Sequence, residues 1–426
     1  MRIWVLWHAQ MALLAGAKVQ EAESDEGRGS PMARRMKSTL AGKAFFVFTA
    51  MTVICGLVLS ACGPTESSFQ GSGTPTPPAS ASVVSRRSSG TGGTWSPTAL
   101  QFATSSTGFA AGTLNGNGVV FRTTDAGASW TSILSIPSAQ GVALDVMSPQ
   151  SLFVGAQSAG GSARVWSTSD GGHAWTNAAL PGTKQSPCAV GLWLEFLDGS
   201  NGWAACANFQ GGPQQIGGVF GTANGGTTWT SLADNFQPSN LVGTYPSQGL
   251  LGDLTMLDRT HGWFQSNEFG CLGGPLSTSN GGQTWAVQRV LPQLTSGQSC
   301  VFAAPRFFGT DGVMTAKTHL GNLILTTSDS GTHWQVAAHY PSSTSMAPLF
   351  TGPNAAWTYD ANSATAYSTN TGGASWQSQS LKGWPRSVSR VCFLNSTEAW
   401  VLEKVLANGQ PMVLRSTDGG AVWTAP

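Results

Sequence analysis

Apolar residues recur along this chain in pairs seven positions apart: Phe102 and Phe109, Val146 and Phe153, Phe196 and Trp203, Met256 and Trp263, Phe307 and Met314, Phe350 and Trp357, and Phe393 and Trp400. Each member sits in a short strand-like run. Turn formers such as Asp198-Gly199-Ser200-Asn201-Gly202 lie between them, so each pair reads as a hairpin of two strands. A third strand, for example Val119 to Thr123, runs into a polar octad closed by tryptophan. Thr123-Thr124-Asp125-Ala126-Gly127-Ala128-Ser129-Trp130, Thr168-Ser169-Asp170-Gly171-Gly172-His173-Ala174-Trp175 and Thr222-Ala223-Asn224-Gly225-Gly226-Thr227-Thr228-Trp229 are one motif written three times, and four more copies end at Trp285, Trp334, Trp376 and Trp423. The tryptophans are 45, 54, 56, 49, 42 and 47 residues apart, the period of a propeller blade. With the tryptophan opening a fourth strand, the pattern predicts an all-β chain: a seven-bladed β-propeller of four-stranded antiparallel blades over residues 94–426.

The octad has a physical logic. Its Ser or Thr ends the third strand, its Asp accepts backbone N–H groups of the same turn, glycine supplies a conformation that a Cβ obstructs, and tryptophan buries its ring between strands. Asn224 and Asn280 keep an accepting oxygen where Asp125, Asp170, Asp329 and Asp418 stand in other copies, and Thr371 is the weakest replacement. These octads resemble the Asp-box, or bacterial neuraminidase repeat. The whole arrangement is similar to the photosystem II stability and assembly factor-like propellers and, more distantly, to the sortilin ectodomain. The resemblance implies that the box residues are structural and are not metal ligands. Nothing in the chain marks a photosynthetic host, so a role in photosystem assembly is not carried over.

Composition narrows the function classes. Charged residues are only 10% of the chain, with 21 Lys+Arg against 20 Asp+Glu, which excludes a nucleic-acid binder working through a basic field. Fifty-four glycines and 17 tryptophans against 4 tyrosines suit short strands joined by tight turns. From Met32, basic Arg34, Arg35, Lys37 and Lys43 precede an apolar run from Ala44 to Leu59, the layout of an export signal and too short for a spanning helix. The run ends in Leu59-Ser60-Ala61-Cys62, which resembles the bacterial lipobox. Residues 32–61 are therefore expected to be a lipoprotein signal peptide, with Cys62 lipidated and the protein held to the membrane outside the cytoplasm. Residues 1–31 carry Glu21, Glu23, Asp25 and Glu26 ahead of that signal and read as an extension from a mis-called start codon. The Ser-, Gly-, Thr- and Pro-rich residues 62–93 read as a tether.

The search for chemistry returns little. Sialidases, which share the Asp-box, need an arginine cluster, a tyrosine nucleophile with a glutamate, and an acid/base aspartate; no Arg-Ile-Pro motif occurs, and Tyr245, Tyr340, Tyr359 and Tyr367 are the only tyrosines. Xyloglucanase-type hydrolysis needs two opposed carboxylates. The carboxylates outside the boxes, Asp145, Glu195, Asp253 and Glu268 among them, include no pair set apart by its context. His173 and His333 read as exposed turn residues, no zinc spacing occurs among the cysteines, and no cofactor is implied. The expected function is thus an interaction or assembly propeller for a protein or glycan, with an extracytoplasmic glycoside hydrolase as the alternative.

Loop lengths locate the expected site. The gap from octad tryptophan to the next first-strand landmark is 16 residues after Trp130 and Trp334 and 17 after Trp376, but 21 after Trp175, 27 after Trp229 and 22 after Trp285. Long loops in a compact domain are more often functional than accidental. The excess converges over blades 3 to 5, on the face opposite the octads, and offers Phe209, Gln210, Gln214, Gln215, Phe236 and Tyr245, with Glu268, Phe269 and Arg289 nearby. On the same face, disulfides are expected between Cys188 and Cys206 and between Cys271 and Cys300, leaving Cys392 a buried free thiol. Trp423 to Pro426 is expected to form a very short outer strand, with residues around Trp95 pairing near the last blade to close the ring.

Overall fold

The computed structural model describes residues 94–183, 188, 191–208, 215–236, 253–269, 273–294, 299–385 and 387–426. They form an all-β, seven-bladed propeller. Blade 1 contains β1 (Trp95–Phe102), β2 (Gly108–Leu114), β3 (Asn117–Thr123) and β4 (Thr131–Ile136). Blade 2 contains β5 (Ala139–Val146), β6 (Leu152–Ser158), β7 (Ala163–Thr168) and β8 (Thr176–Ala179), and blade 3 β9 (Gly191–Phe196), β10 (Gly202–Asn208), β11 (Gln215–Thr222) and β12 (Thr230–Phe236). Blade 4 is built from β13 (Leu254–Met256), β14 (Gly262–Phe264), β16 (Leu276–Thr278) and β17 (Ala286–Val287), with β15 (Ser266–Phe269) set between β14 and β16 in the chain. Blade 5 contains β18 (Ser299–Phe302), β19 (Arg306–Phe308), β20 (Asp311–Thr318), β21 (Gly321–Thr327) and β22 (Gln335–His339). Blade 6 contains β23 (Leu349–Phe350), β24 (Ala356–Asp360), β25 (Thr365–Thr369) and β26 (Gln377–Ser380), and blade 7 β27 (Val388–Phe393), β28 (Ala399–Ala407) and β29 (Gln410–Ser416).

Burial follows strand position. Second strands such as β6 are buried on both faces, whereas the outer β26 is exposed throughout, so the fourth strand of each blade meets solvent and the first meets the ring axis. Neighbouring first strands touch in order, β27 with β1, β1 with β5, β5 with β9 and β9 with β13.

The two landmarks of each blade make the joints between blades. Phe196 of blade 3 stacks on Phe153 of blade 2, Phe307 of blade 5 packs on Trp263 of blade 4, and Phe393 of blade 7 packs on Trp357 of blade 6. A first-strand ring therefore lies on the second-strand ring of the preceding blade, and all fourteen landmarks are buried. Glycine faces several of these rings across its own hairpin. A Cβ on Gly108 would come within 2.6 Å of the Phe102 ring, and one on Gly202 within 2.3 Å of Phe196, so the hairpin admits the aromatic only because the opposite residue has no side chain.

The ring closes by the same rule. Phe102 stacks on Trp400 with ring centroids 3.7 Å apart, and the Trp400 indole N–H donates to Ala126 O at 2.8 Å. Arg390 Nε donates to Thr98 O at 2.7 Å. Trp95, expected to pair near the last blade, instead opens β1 and pairs with Leu114 of its own blade. Its ring stands edge-on to Phe121 in a cluster with Leu402 and Val413, so it closes the ring through side-chain packing, not as an added strand. The short C-terminal outer strand is a single bridge between Thr424 and Arg415.

Candidate functional site

The connections joining strands one to two and three to four share one face, and each octad turn leans on the first hairpin turn of its blade: Ala126 N–H donates to Ser106 O and Gly171 N–H to Gln150 O. Within the first octad, the Thr123 hydroxyl donates to Asp125 Oδ1 at 2.7 Å and accepts the Gly127 N–H at 2.9 Å. Asp125 Oδ1 also accepts the Ser129 N–H at 2.9 Å, and the Trp130 indole donates to Gly127 O at 3.1 Å. The replacements keep the acceptor. Asn224 Oδ1 takes the Thr228 N–H and Asn280 Oδ1 the Thr284 N–H, while the Thr371 hydroxyl takes the Ser375 N–H at 3.0 Å. The His333 N–H, the Thr327 hydroxyl and the His333 ring hold Asp329 well below the usual carboxylate range, and the Ala174 N–H and Thr168 hydroxyl lower Asp170 in the same way. His173 and His333 are exposed, each turned back onto its own octad. This face spends its polar groups on itself.

The opposite face is irregular. Its connections from outer to inner strand range from residues 137–138 between blades 1 and 2 to residues 237–253 between blades 3 and 4. Here β15 leaves blade 4 and pairs antiparallel with β18 of blade 5, Glu268 opposite Cys300 and Phe269 opposite Ser299. Two of the expected site residues thus lie on a strand that ties two blades together. Gln215 and Phe236 sit at the loop ends of β11 and β12, and Arg289 is exposed just after β17. Phe209, Gln210, Gln214 and Tyr245 lie outside the described residues, as does Cys62. A disulfide joins Cys188 to Cys206, with Cα atoms 5.0 Å apart, linking the 180–190 connection to β10. Cys300 is also disulfide-bonded; its expected partner, Cys271, lies outside the described residues. Cys392 is disulfide-bonded too, which corrects the expectation of a free thiol there. On this face a cleft between blades 1 and 2 is lined by Asn115, Asn117, Ser138 and small residues.

A polar row on the ring axis went unread in the sequence. Gln101 Oε1 accepts the Val146 N–H at 2.8 Å, Asp145 Oδ2 accepts the Phe196 N–H at 2.7 Å, and Glu195 accepts the Met256 N–H. Each acceptor therefore caps the inner strand of the next blade. Burial pushes the Asp145 carboxyl up to about 7 against the pull of the Phe196 and Val146 N–H groups. Burial first, then repulsion from Asp145 and Asp253, raises Glu195 well above its ordinary value, while Arg306 draws it back. Arg306 is itself lowered to about 10 by burial, opposed by Glu195. The signal was positional: Gln101, Asp145, Glu195, Thr255 and Arg306 each stand one residue before a first-strand landmark, where blades 6 and 7 carry Leu349 and Cys392. Chemically the row can hold a proton. Among the described residues no group of three or more His, Cys, Asp or Glu is placed to hold a metal ion.

No family model matches the chain, and no curated protein does. Among solved structures it is similar to YCF48 bound to a D1 peptide, at 15% identity over 76% of this chain and 94% of that one with a TM-score of 0.48. It is also similar to the GH74 enzyme of Niastella koreensis, at 12% identity over 79% and 73% with a TM-score of 0.34. A third is the Aleuria aurantia lectin in complex with Fucalpha1-6GlcNAc, at 11% identity over 67% and 95% with a TM-score of 0.40. None of these similarities assigns a ligand or an activity to this chain.

Proposed function

We propose that this chain is an exported lipoprotein, anchored through Cys62, whose propeller binds a protein or glycan with the face opposite the octads over blades 3 to 5. The octads are read as Asp-boxes with a structural role. The observation that carries the proposal is the contrast between the faces: seven near-identical, self-satisfied turns on one, and on the other connections of unequal length, with the 180–190 connection tied to β10 by the Cys188–Cys206 disulfide and β15 joining blades 4 and 5. A tie of this kind at the base of a binding face lowers the ordering cost of binding.

A pull-down from native membranes with the lipidated protein supplies the partner. Tyr245→Ala with Arg289→Ala is expected to weaken its capture at least tenfold, and His173→Ala with His333→Ala to leave it unchanged; the reverse pattern overturns the site. Cys62→Ser is expected to move the protein from the membrane to the soluble fraction. Turnover on a glycan panel would replace this reading with that of a glycoside hydrolase.

A further inference from the structure

We propose that Asp145 and Glu195 form a proton-controlled lock on the axial joints of blades 2 to 4, closed while the two carboxyls hold one proton between them and loosened when that proton leaves.

The geometry supplies the parts. Asp145 Oδ2 binds the Phe196 N–H at 2.7 Å, so the side chain of β5 holds the end of β9. Glu195, the neighbour of Phe196, binds the Met256 N–H, so β9 in turn holds the end of β13. The joint of blades 2 to 4 therefore passes through two carboxyls in sequence. Ahead of it, the joint of blades 1 and 2 is held by the neutral Gln101 amide through the Val146 N–H and Leu144 O. The Gln101 amide itself has no charge to gain or lose.

The charges facing the pair are few. Of the strands packed on β5 and β9, β1, β2, β6, β10 and β13 carry no titratable side chain except the disulfide-bonded Cys206, and β3 carries Arg122, whose guanidinium lies beside Gly171 in the octad of blade 2. Asp253, just before β13, adds negative charge, and Arg306 on β19 adds the opposing positive charge. On the remaining inner strands, β18, β23 and β27, the charged side chain is Arg390, whose guanidinium donates to Thr98 O and Ser389 O. With both carboxyls ionised, two negative charges plus Asp253 face one buried guanidinium, and like charges in a poorly solvated site repel strongly. Protonating one carboxyl removes that repulsion and leaves both acceptor bonds in place. Loss of the proton weakens the attachment of β9 and β13 at the ends from which their first hairpin turns depart.

Glu195→Gln fixes the neutral state and keeps an oxygen for the Met256 N–H. The test is native-state hydrogen exchange of the full chain, followed from pH 6 to 8.5 in peptides spanning Phe196 and Met256. In the wild type, exchange is expected to accelerate on the order of tenfold beyond the intrinsic effect of pH, while in Glu195→Gln it follows the intrinsic effect alone. Peptides spanning Phe350 on β23, where Leu349 takes the place of the carboxyl, are expected to follow the intrinsic effect in both proteins. The infrared carboxylic-acid carbonyl band of the wild type at pH 7 is expected to lose intensity in Glu195→Gln, leaving the part that belongs to Asp145. Identical pH courses in the two proteins, or no carboxylic-acid band at pH 7, overturn the lock. Asp145→Asn provides the same comparison if Glu195→Gln does not fold.

Discussion

The octad carboxylates and the axial carboxylates do the same job in opposite surroundings. Asp170 and Asp329 accept backbone N–H groups of their own turns in contact with water, and their acidity increases. Asp145 and Glu195 accept backbone N–H groups of a neighbouring blade inside the ring, and their acidity decreases. The hydrogen bonds favour ionisation in both places. What differs is the cost of desolvating the charge, which exceeds the benefit of the N–H bonds on the axis and is small on the octad face. A carboxylate capping a strand is thus a stable anion on the rim and a proton reservoir on the axis.

Three changes test that contrast. The largest effect is expected from Asp145→Ala at pH 5, which strands the Phe196 N–H inside the ring. Losing the partner of a buried donor costs about 1–3 kcal/mol, read as a lower denaturant midpoint, whereas Asp145→Asn at the same pH is expected to cost less than half as much. Next comes the pH course of stability. The raised axial carboxyls bind protons in the folded chain that the unfolded chain has released, so their contribution is complete below about pH 4; that of Asp145 disappears as pH rises through about 7 and that of Glu195 as pH rises through its own raised value. The lowered Asp125, Asp170 and Asp329 contribute above about pH 4 and lose that contribution as acid takes pH below it. The wild-type melting temperature is therefore expected to fall between pH 5 and pH 8, and the double variant Asp145→Asn with Glu195→Gln to flatten that fall while leaving the acid side unchanged. The smallest effect belongs to Asn224→Asp, which exchanges one accepting oxygen for another in an exposed turn. Its thermal midpoint is expected to stay within about 2 °C of the wild type, and a larger loss would mean that the Asn224 Nδ2 bond to Thr228 Oγ1 matters more than the acceptor.

The same contrast explains what was legible in the sequence. Landmarks and octads announced themselves because each is a local device copied seven times, and repetition turns a weak signal such as one Phe in a strand into a period. The landmark pairs even carried the interblade joint, since Phe102 and Trp400 meet by the rule that joins Phe196 to Phe153. The axial row is not copied. Asp145 and Glu195 differ from each other and from Leu349 and Cys392 at matching positions, and they meet only once the ring brings separate blades together. β15 was hidden for a related reason: Ser266–Phe269 shows no alternation of its own and becomes a strand by pairing with another blade. Trp95 misled because Gly92-Gly93-Thr94 echoes an octad, while the register of β1 with β2 runs out to Leu114 and claims the tryptophan for the first blade.

The joint between blades 1 and 7 also has a temporal meaning. The other six joints unite blades that follow one another in the chain and can assemble as each new hairpin forms. The bonds from Ser389 to Pro97 and from Arg390 to Thr98 span 292 residues, so this joint must wait for the whole ring. Loop-closure entropy and contact order both make such a contact late and slow. Until it forms, Phe102 and Trp400 stand uncovered at the two ends of an open arc, each with an unfilled ring face. Closure is therefore expected to be the last step of folding, and an arc still waiting for it is the state in which two chains would exchange blades.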